Sequence, residues 1–119
     1  MAYEIPGFKE TLVAGVDLSA NQYRAVDVNN TGQAVLPAAG GRIAGVQQNK
    51  PSTGRAVEVM GSGVSIVEAG AAVTAGDTLQ IDATGRVITR TTGVAVGVAR
   101  ETASAAGIRI AVRLSGQLV

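Results

Sequence analysis

The sequence predicts an all-β fold, a small barrel or sandwich of about eight short strands built from two similar halves, with an extended N-terminal arm. Three observations carry that prediction. Apolar residues alternate with polar or small ones in short runs, the 16 glycines recur too often for a sustained helix, and one stretch of the chain repeats another at fixed spacing.

The alternation is clearest in Arg55-Ala56-Val57-Glu58-Val59, Gly93-Val94-Ala95-Val96-Gly97-Val98 and Ile108-Arg109-Ile110-Ala111-Val112-Arg113-Leu114. A period of two gives half-buried strands. The best helical candidate, residues 101–106, amounts to a turn or two at most.

A shift of 53 residues lays Val26-Asp27-Val28-Asn29-Asn30-Thr31-Gly32-Gln33-Ala34-Val35 over Leu79-Gln80-Ile81-Asp82-Ala83-Thr84-Gly85-Arg86-Val87-Ile88. Each stretch reads as a strand, an Asn or Asp, one residue, Thr and Gly, then a second strand. Gly relieves the positive φ of such a hairpin, and Asn or Asp bonds the turn backbone. With one residue of slippage Ala44-Gly45-Val46 matches Val96-Gly97-Val98, and Gly54, Val57 and Val59 then match Gly107, Ile110 and Val112. Residues 23–60 and 75–114 are thus two copies of one unit, joined by 61–74. Neither buries a sufficient core alone, so they are expected to pack on each other about a pseudo-twofold axis.

The expected core is Val26, Val28, Val35, Val46, Val57, Val59, Val64, Ile66, Leu79, Ile81, Ile88, Val96, Val98, Ile110, Val112 and Leu114. Branched side chains of this kind fill a twisted β core and leave little room for a large internal ligand.

The first 20 residues differ from the single β domain expected over 21–119. All three aromatic residues, Tyr3, Phe8 and Tyr23, fall in the first 23 positions, and Pro6-Gly7 interrupts any strand. Burying Tyr3, Ile5, Phe8, Leu12 and Val13 returns roughly 1.5–3 kcal/mol per side chain. Ordering each backbone residue costs about 1–2 kcal/mol, so the arm is expected to be loose until a neighbour supplies apolar surface and a strand edge. The alternative is that 3–18 closes the bottom of the barrel with Phe8 as a core plug.

Composition narrows the function. The chain of 119 residues has no Cys and no His, which excludes His-based triads, thiol nucleophiles and ordinary zinc sites. No enzyme, cofactor or metal is expected. A net charge of +1 from ten basic and nine acidic residues offers no phosphate-binding stripe, so nucleic acid is a poor partner. No signal segment or long apolar run is read, giving a soluble chain made in the cytosol and not held by a membrane.

Weaker motifs read as structure. Gly61-Ser62-Gly63 lacks the third glycine and the helix of a dinucleotide loop. Asp77 and Asp82 belong to separate turns and lack calcium-loop spacing. Glu58, Glu68 and Glu101 form no recognisable hydrolase pair. Arg109 and Arg113 lie on one face of the last strand, where with Tyr23 they are candidate inter-subunit contacts or simply keep a sheet face wet.

Asp17-Leu18-Ser19, Tyr23-Arg24-Ala25-Val26, Gly45 to Pro51 with Gly54, Val57-Glu58-Val59 and Gly61, then Ala69-Gly70, Ala75 to Leu79, Asp82 to Gly85, Val96 to Ala99 and Ala103 to Gly107 are similar in order and spacing to the phage head-decoration, or capsid-cement, proteins. That resemblance spans about Asp17 to Leu114. It implies a homotrimer on the outer capsid surface of the virion, synthesised in the host cytoplasm, that stabilises contacts between major capsid protein subunits. It also makes the N-terminal segment, with Tyr3, Ile5, Pro6, Phe8, Leu12 and Val13, the capsid-binding arm. Two other readings remain at this point. A carbohydrate- or small-ligand-binding β module needs an aromatic platform, which the chain after Tyr23 lacks, and a carboxylate hydrolase needs two acids in a cleft.

Overall fold

The structure, a computed structural model, describes residues 2–115. It is all-β, with no helix among the described residues; 101–106 forms bends instead. The strands are β1 (Ile5–Pro6), β2 (Lys9–Val13), β3 (Ala25–Val28), β4 (Ala34–Val35), β5 (Gly45–Gln47), β6 (Ala56–Met60), β7 (Ser62–Glu68), β8 (Thr78–Ile81), β9 (Val87–Thr89), β10 (Gly97–Ala99) and β11 (Arg109–Ser115). They form a five-stranded sheet, β2-β6-β5-β3-β4, and a six-stranded sheet, β1-β7-β11-β10-β8-β9. The additional strands beyond the expected eight are short pieces that pair through backbone groups and leave little trace in side-chain periodicity.

Each sheet curls on itself. Ala14, just past β2, bridges in parallel to Ala34 of β4, and Ala69, just past β7, bridges in parallel to Val87 of β9. The Gly15 N–H donates to the Ala34 carbonyl at 2.8 Å and the Gly70 N–H to the Val87 carbonyl at 2.8 Å. Each copy of the repeat is therefore a small half-barrel. The repeat also extends beyond 23–60 and 75–114, because β2 pairs with β6 as β7 pairs with β11.

The two hairpins agree atom by atom. Asn29 Oδ1 accepts from the Thr31 N–H, the Thr31 hydroxyl and the Gln33 N–H. Asp82 Oδ1 accepts from the Thr84 N–H, the Thr84 hydroxyl and the Arg86 N–H. Gly32 and Gly85 sit at φ 79° and 82°, the left-handed region that glycine enters without steric cost.

Two core clusters follow from the two half-barrels. Leu18, Val26, Val57 and Val59 fill the first, and Val73, Leu79, Ile110 and Val112 hold the matching places in the second. The second cluster also takes in Ala25, Val46 and Met60 of the first half. These three form one cross-strand row of the five-stranded sheet. The matching row of the other sheet is Thr78, Val98 and Arg113, which is exposed or half-buried. A twofold axis would bury the same patch on both halves. The expected pseudo-twofold packing is thus corrected: the outer face of one half seats on the inner side of the other.

Of the expected core, Val28, Val35, Val64, Ile66, Ile88 and Val98 are only half-buried. On β7 the inward residues are Ser65 and Val67, so Val64 and Ile66 face out. Leu18, Met60, Val67, Val73 and Val87 are buried instead.

The N-terminal segment does not hang free as expected. One antiparallel register runs from Ile5 opposite Val64 to Val13 opposite Ala56, and it crosses from one sheet to the other between Gly7 and Phe8. Gly63 makes this approach possible, since a Cβ there would collide with the Ile5 carbonyl. Backbone pairing with two open strand edges, a contribution separate from side-chain burial, orders the segment without hiding its side chains.

Candidate functional site

The large exposed apolar side chains are concentrated in the N-terminal segment, on and around β1 and β2. Tyr3 is 43%, Ile5 59%, Phe8 58% and Val13 48% exposed, and Pro6 is exposed between them. Val16, Leu36 and Ile108 complete the set. Leu12 departs from the expected group: alternation along β2 turns it inward, where it packs on the first core cluster.

Backbone bonds fix the position of this surface. The Gly7 N–H donates to the Ser62 carbonyl at 3.2 Å, and the Phe8 N–H to the Ser62 hydroxyl at 2.8 Å. The Gly61 N–H returns a bond to the Phe8 carbonyl at 2.8 Å, with the Phe8 ring lying over the place where a Gly61 side chain would be. The Phe8 ring is thus exposed on backbone that is already ordered, so less ordering entropy remains to be lost in any contact it makes.

Tyr23, Arg109 and Arg113 lie elsewhere. Tyr23 has φ 62°, the one non-glycine residue in the left-handed region among those described. The place it occupies belongs to Gly76 in the second half: the Tyr23 N–H donates to the Gln47 carbonyl at 3.0 Å as the Gly76 N–H donates to the Ala99 carbonyl at 2.7 Å. Its carbonyl accepts from the Glu68 N–H at 2.9 Å, and its ring centroid lies 4.9 Å from the Arg109 guanidinium carbon. Arg113 is exposed and stands in register between Val64 and Val98.

Beside Tyr23 an ion network joins the halves, which sequence reasoning missed. Arg24 forks onto Glu68 at 3.1 and 3.4 Å, Arg86 Nη1 lies 3.7 Å from Glu68, and Arg86 Nε lies 3.3 Å from Asp82. Burial alone would push the Asp82 carboxyl up, but hydrogen bonds from Thr84 and the Arg86 backbone, together with the Arg86 charge, outweigh it and hold the group below the usual carboxylate range. The signal for this network is contact between strands distant in sequence, which spacing does not carry.

Asp77 caps the Thr74 N–H at 2.9 Å and Asp82 serves its own turn. Among the described residues no group of three His, Cys, Asp or Glu side chains is placed to hold a metal ion. A 390 Å³ groove lined by Gly40, Gln80, Ile81, Asp82, Ile88 and Gly93, among others, has no aromatic wall on which a sugar ring would stack.

Fold and surface together define a class: a duplicated all-β module that displays apolar side chains from edge strands, suited to structural docking. Against solved structures, the chain is similar to the N-terminal base of head fibre gp8.5 of bacteriophage phi29, at a TM-score of 0.75 and 18% identity, covering 94% of this chain and 97% of that one. That likeness is one of fold. A comparison with curated protein sequences finds no match. The chain belongs to the phage cement protein family, whose model matches residues 11–114. Membership gives it a structural, capsid-decorating role and associates it with the capsid of the virion.

Proposed function

We propose that the chain binds the outer surface of a phage head as a homotrimer and stabilises contacts between major capsid protein subunits, with Tyr3, Ile5, Pro6 and Phe8 as the capsid-facing surface. The observation that carries this reading is that Ile5, Pro6 and Phe8 are exposed on backbone already paired within the protomer, with Tyr3 exposed just before them. Burying each of the larger ones against a partner is worth about 1.5–3 kcal/mol. Three such surfaces on one assembly attach in succession at high effective concentration, so moderate single contacts hold a pressurised lattice. Tyr23, Arg109 and Arg113 are the proposed contacts between subunits. Synthesis in the host cytoplasm without cofactor, membrane or nucleic-acid partner completes the proposal.

Co-sedimentation with expanded, empty heads tests it. Phe8→Ser and Ile5→Ser are expected to keep the fold by circular dichroism and to abolish sedimentation with heads. Unchanged binding by the double variant would defeat the role of this surface.

A further inference from the structure

The internal repeat shows how one half of this molecule receives another. The first half presents the row Ala25, Val46 and Met60, and the second half accepts it into its core cluster. Around that row the Ala25 N–H donates to the Gly85 carbonyl at 2.7 Å, the Glu68 N–H to the Tyr23 carbonyl at 2.9 Å and the Gly40 N–H to the Ile81 carbonyl at 2.9 Å. The contact is heterologous, so each half owns a presenting face and a receiving face. Within one chain only one of each is used.

The two unused faces are open. The presenting row of the second half is Thr78, Val98 and Arg113, backed by outward Val64 and Ile66 on β7. On the first half, the places of Glu68, Ile81 and Gly85 are taken by Val13, Val28 and Gly32. Val13 is exposed, Val28 is half-buried, and the space beside Gly32 is empty. The Gly15 N–H bond to Ala34 sets Val16 beside the end of β4, and Val16 and Leu36 are both exposed there.

Charge supports the match. Arg100 and Arg113, at the presenting face, form no ion pair among the described residues; nor do Asp17, next to Val16, and Glu58, diagonal to Val13 across β2 and β6. We infer that the occupant of each face is a second copy of this chain: the Thr78–Val98–Arg113 face of one protomer seats on the Val13–Val16–Leu36 face of the next, repeating between chains the head-to-tail contact made within each chain. A heterologous contact that closes makes a ring. The inference rests on the reading of the chain as a self-assembling decoration protein and names the faces that meet.

Complementation of variants at the two faces tests it. Thr78 and Leu36 are both exposed, so Thr78→Lys and Leu36→Lys are expected to fold, with thermal unfolding as the check. By sedimentation velocity and native mass spectrometry, wild type forms a closed oligomer and each variant alone runs as a protomer. Mixed in equal amounts, the two variants restore one intact contact and form a two-chain complex. Wild type remaining a protomer, either variant keeping the wild-type mass, or a mixture that stays dissociated would each overturn the inference. Head co-sedimentation of the same wild-type sample separates the two claims. Failure to bind heads despite the predicted assembly defeats the capsid reading alone, whereas head binding with assembly untouched by both variants defeats this contact alone.

Discussion

The turn at Asn29 and the turn at Asp82 make the same three hydrogen bonds from one side-chain oxygen, yet the first stands in open space and the second presses its Gly85 against the backbone of Ala25. Met60 and Arg113 are a second such pair. Each stands in its sheet's cross-strand row, beside Val46 and Val98 respectively; Met60 is fully buried and Arg113 is exposed. Tyr23 and Gly76 are a third: the backbone is left-handed in both, and only the first carries a side chain. Duplication therefore reproduces local conformation, while the environment of each copy is set by which face the other half covers. The differences between equivalent residues mark where the halves meet and where each is left open.

Exchanging the row residues should break the comparison most strongly. Met60→Arg puts an uncompensated charge into the second core cluster and is expected to cost about 3–5 kcal/mol, whereas Arg113→Met should change protomer stability by no more than about 0.5 kcal/mol. Urea unfolding of both variants measures this. Equal effects would mean that the two rows share one environment.

The ion network comes next. Glu68→Gln keeps the shape but removes the charge that holds Arg24 and Arg86 across the junction, with an expected loss of about 1–3 kcal/mol. The difference from wild type should shrink in high salt, because part of it is screened Coulomb energy. A loss independent of salt would point to packing alone.

Smaller still is the effect at the left-handed pair. Gly76→Ala is expected to cost about 1–2 kcal/mol for placing a Cβ in that region. Tyr23→Gly relieves the same strain but gives up a ring–guanidinium contact worth about 0.5–1 kcal/mol, so it should lie close to neutral in thermal unfolding. A large loss on Tyr23→Gly would show that the ring does more for the protomer than stack on Arg109.

The smallest effect sharpens the turn comparison through pH. The Asp82 carboxyl lies lower in the folded chain than in the unfolded one, so its contribution is complete above the unfolded value of about 4 and is lost as pH falls through the folded value beneath it. Asp82→Asn makes this turn like the one at Asn29, which does not titrate. The variant should lose part of the wild-type decline in stability below about pH 4 while keeping the hairpin. An unaltered acid limb would place that decline on other carboxylates.

Much of this molecule was legible in its residues. The strand–Asn-x-Thr-Gly–strand pattern and its Asp counterpart place both hairpins, and Ala44-Gly45-Val46 with Val96-Gly97-Val98 places β5 and β10. Other features left no trace. β1 and β2 order the leader through backbone bonds to Ser62 and β6, which are blind to side-chain identity, so an aromatic segment interrupted by Pro6-Gly7 reads as loose. Leu12 reads like its exposed neighbours because the alternation of β2 shows only once its partner strand is known. Arg24, Glu68 and Arg86 come together only through the junction of the halves.

By itself the sequence determined the all-β class, the duplication and the turns, because backbone conformation at Gly32, Gly85, Asn29 and Asp82 depends on atoms within a few residues. Tertiary structure alone decided that the Met60 row is covered and the Arg113 row open, and that Ile5 and Phe8 are ordered yet exposed. Those outcomes belong to faces rather than residues. A strand carries the same alternation whichever of its two sides meets a neighbour, so burial is settled only when the second surface arrives.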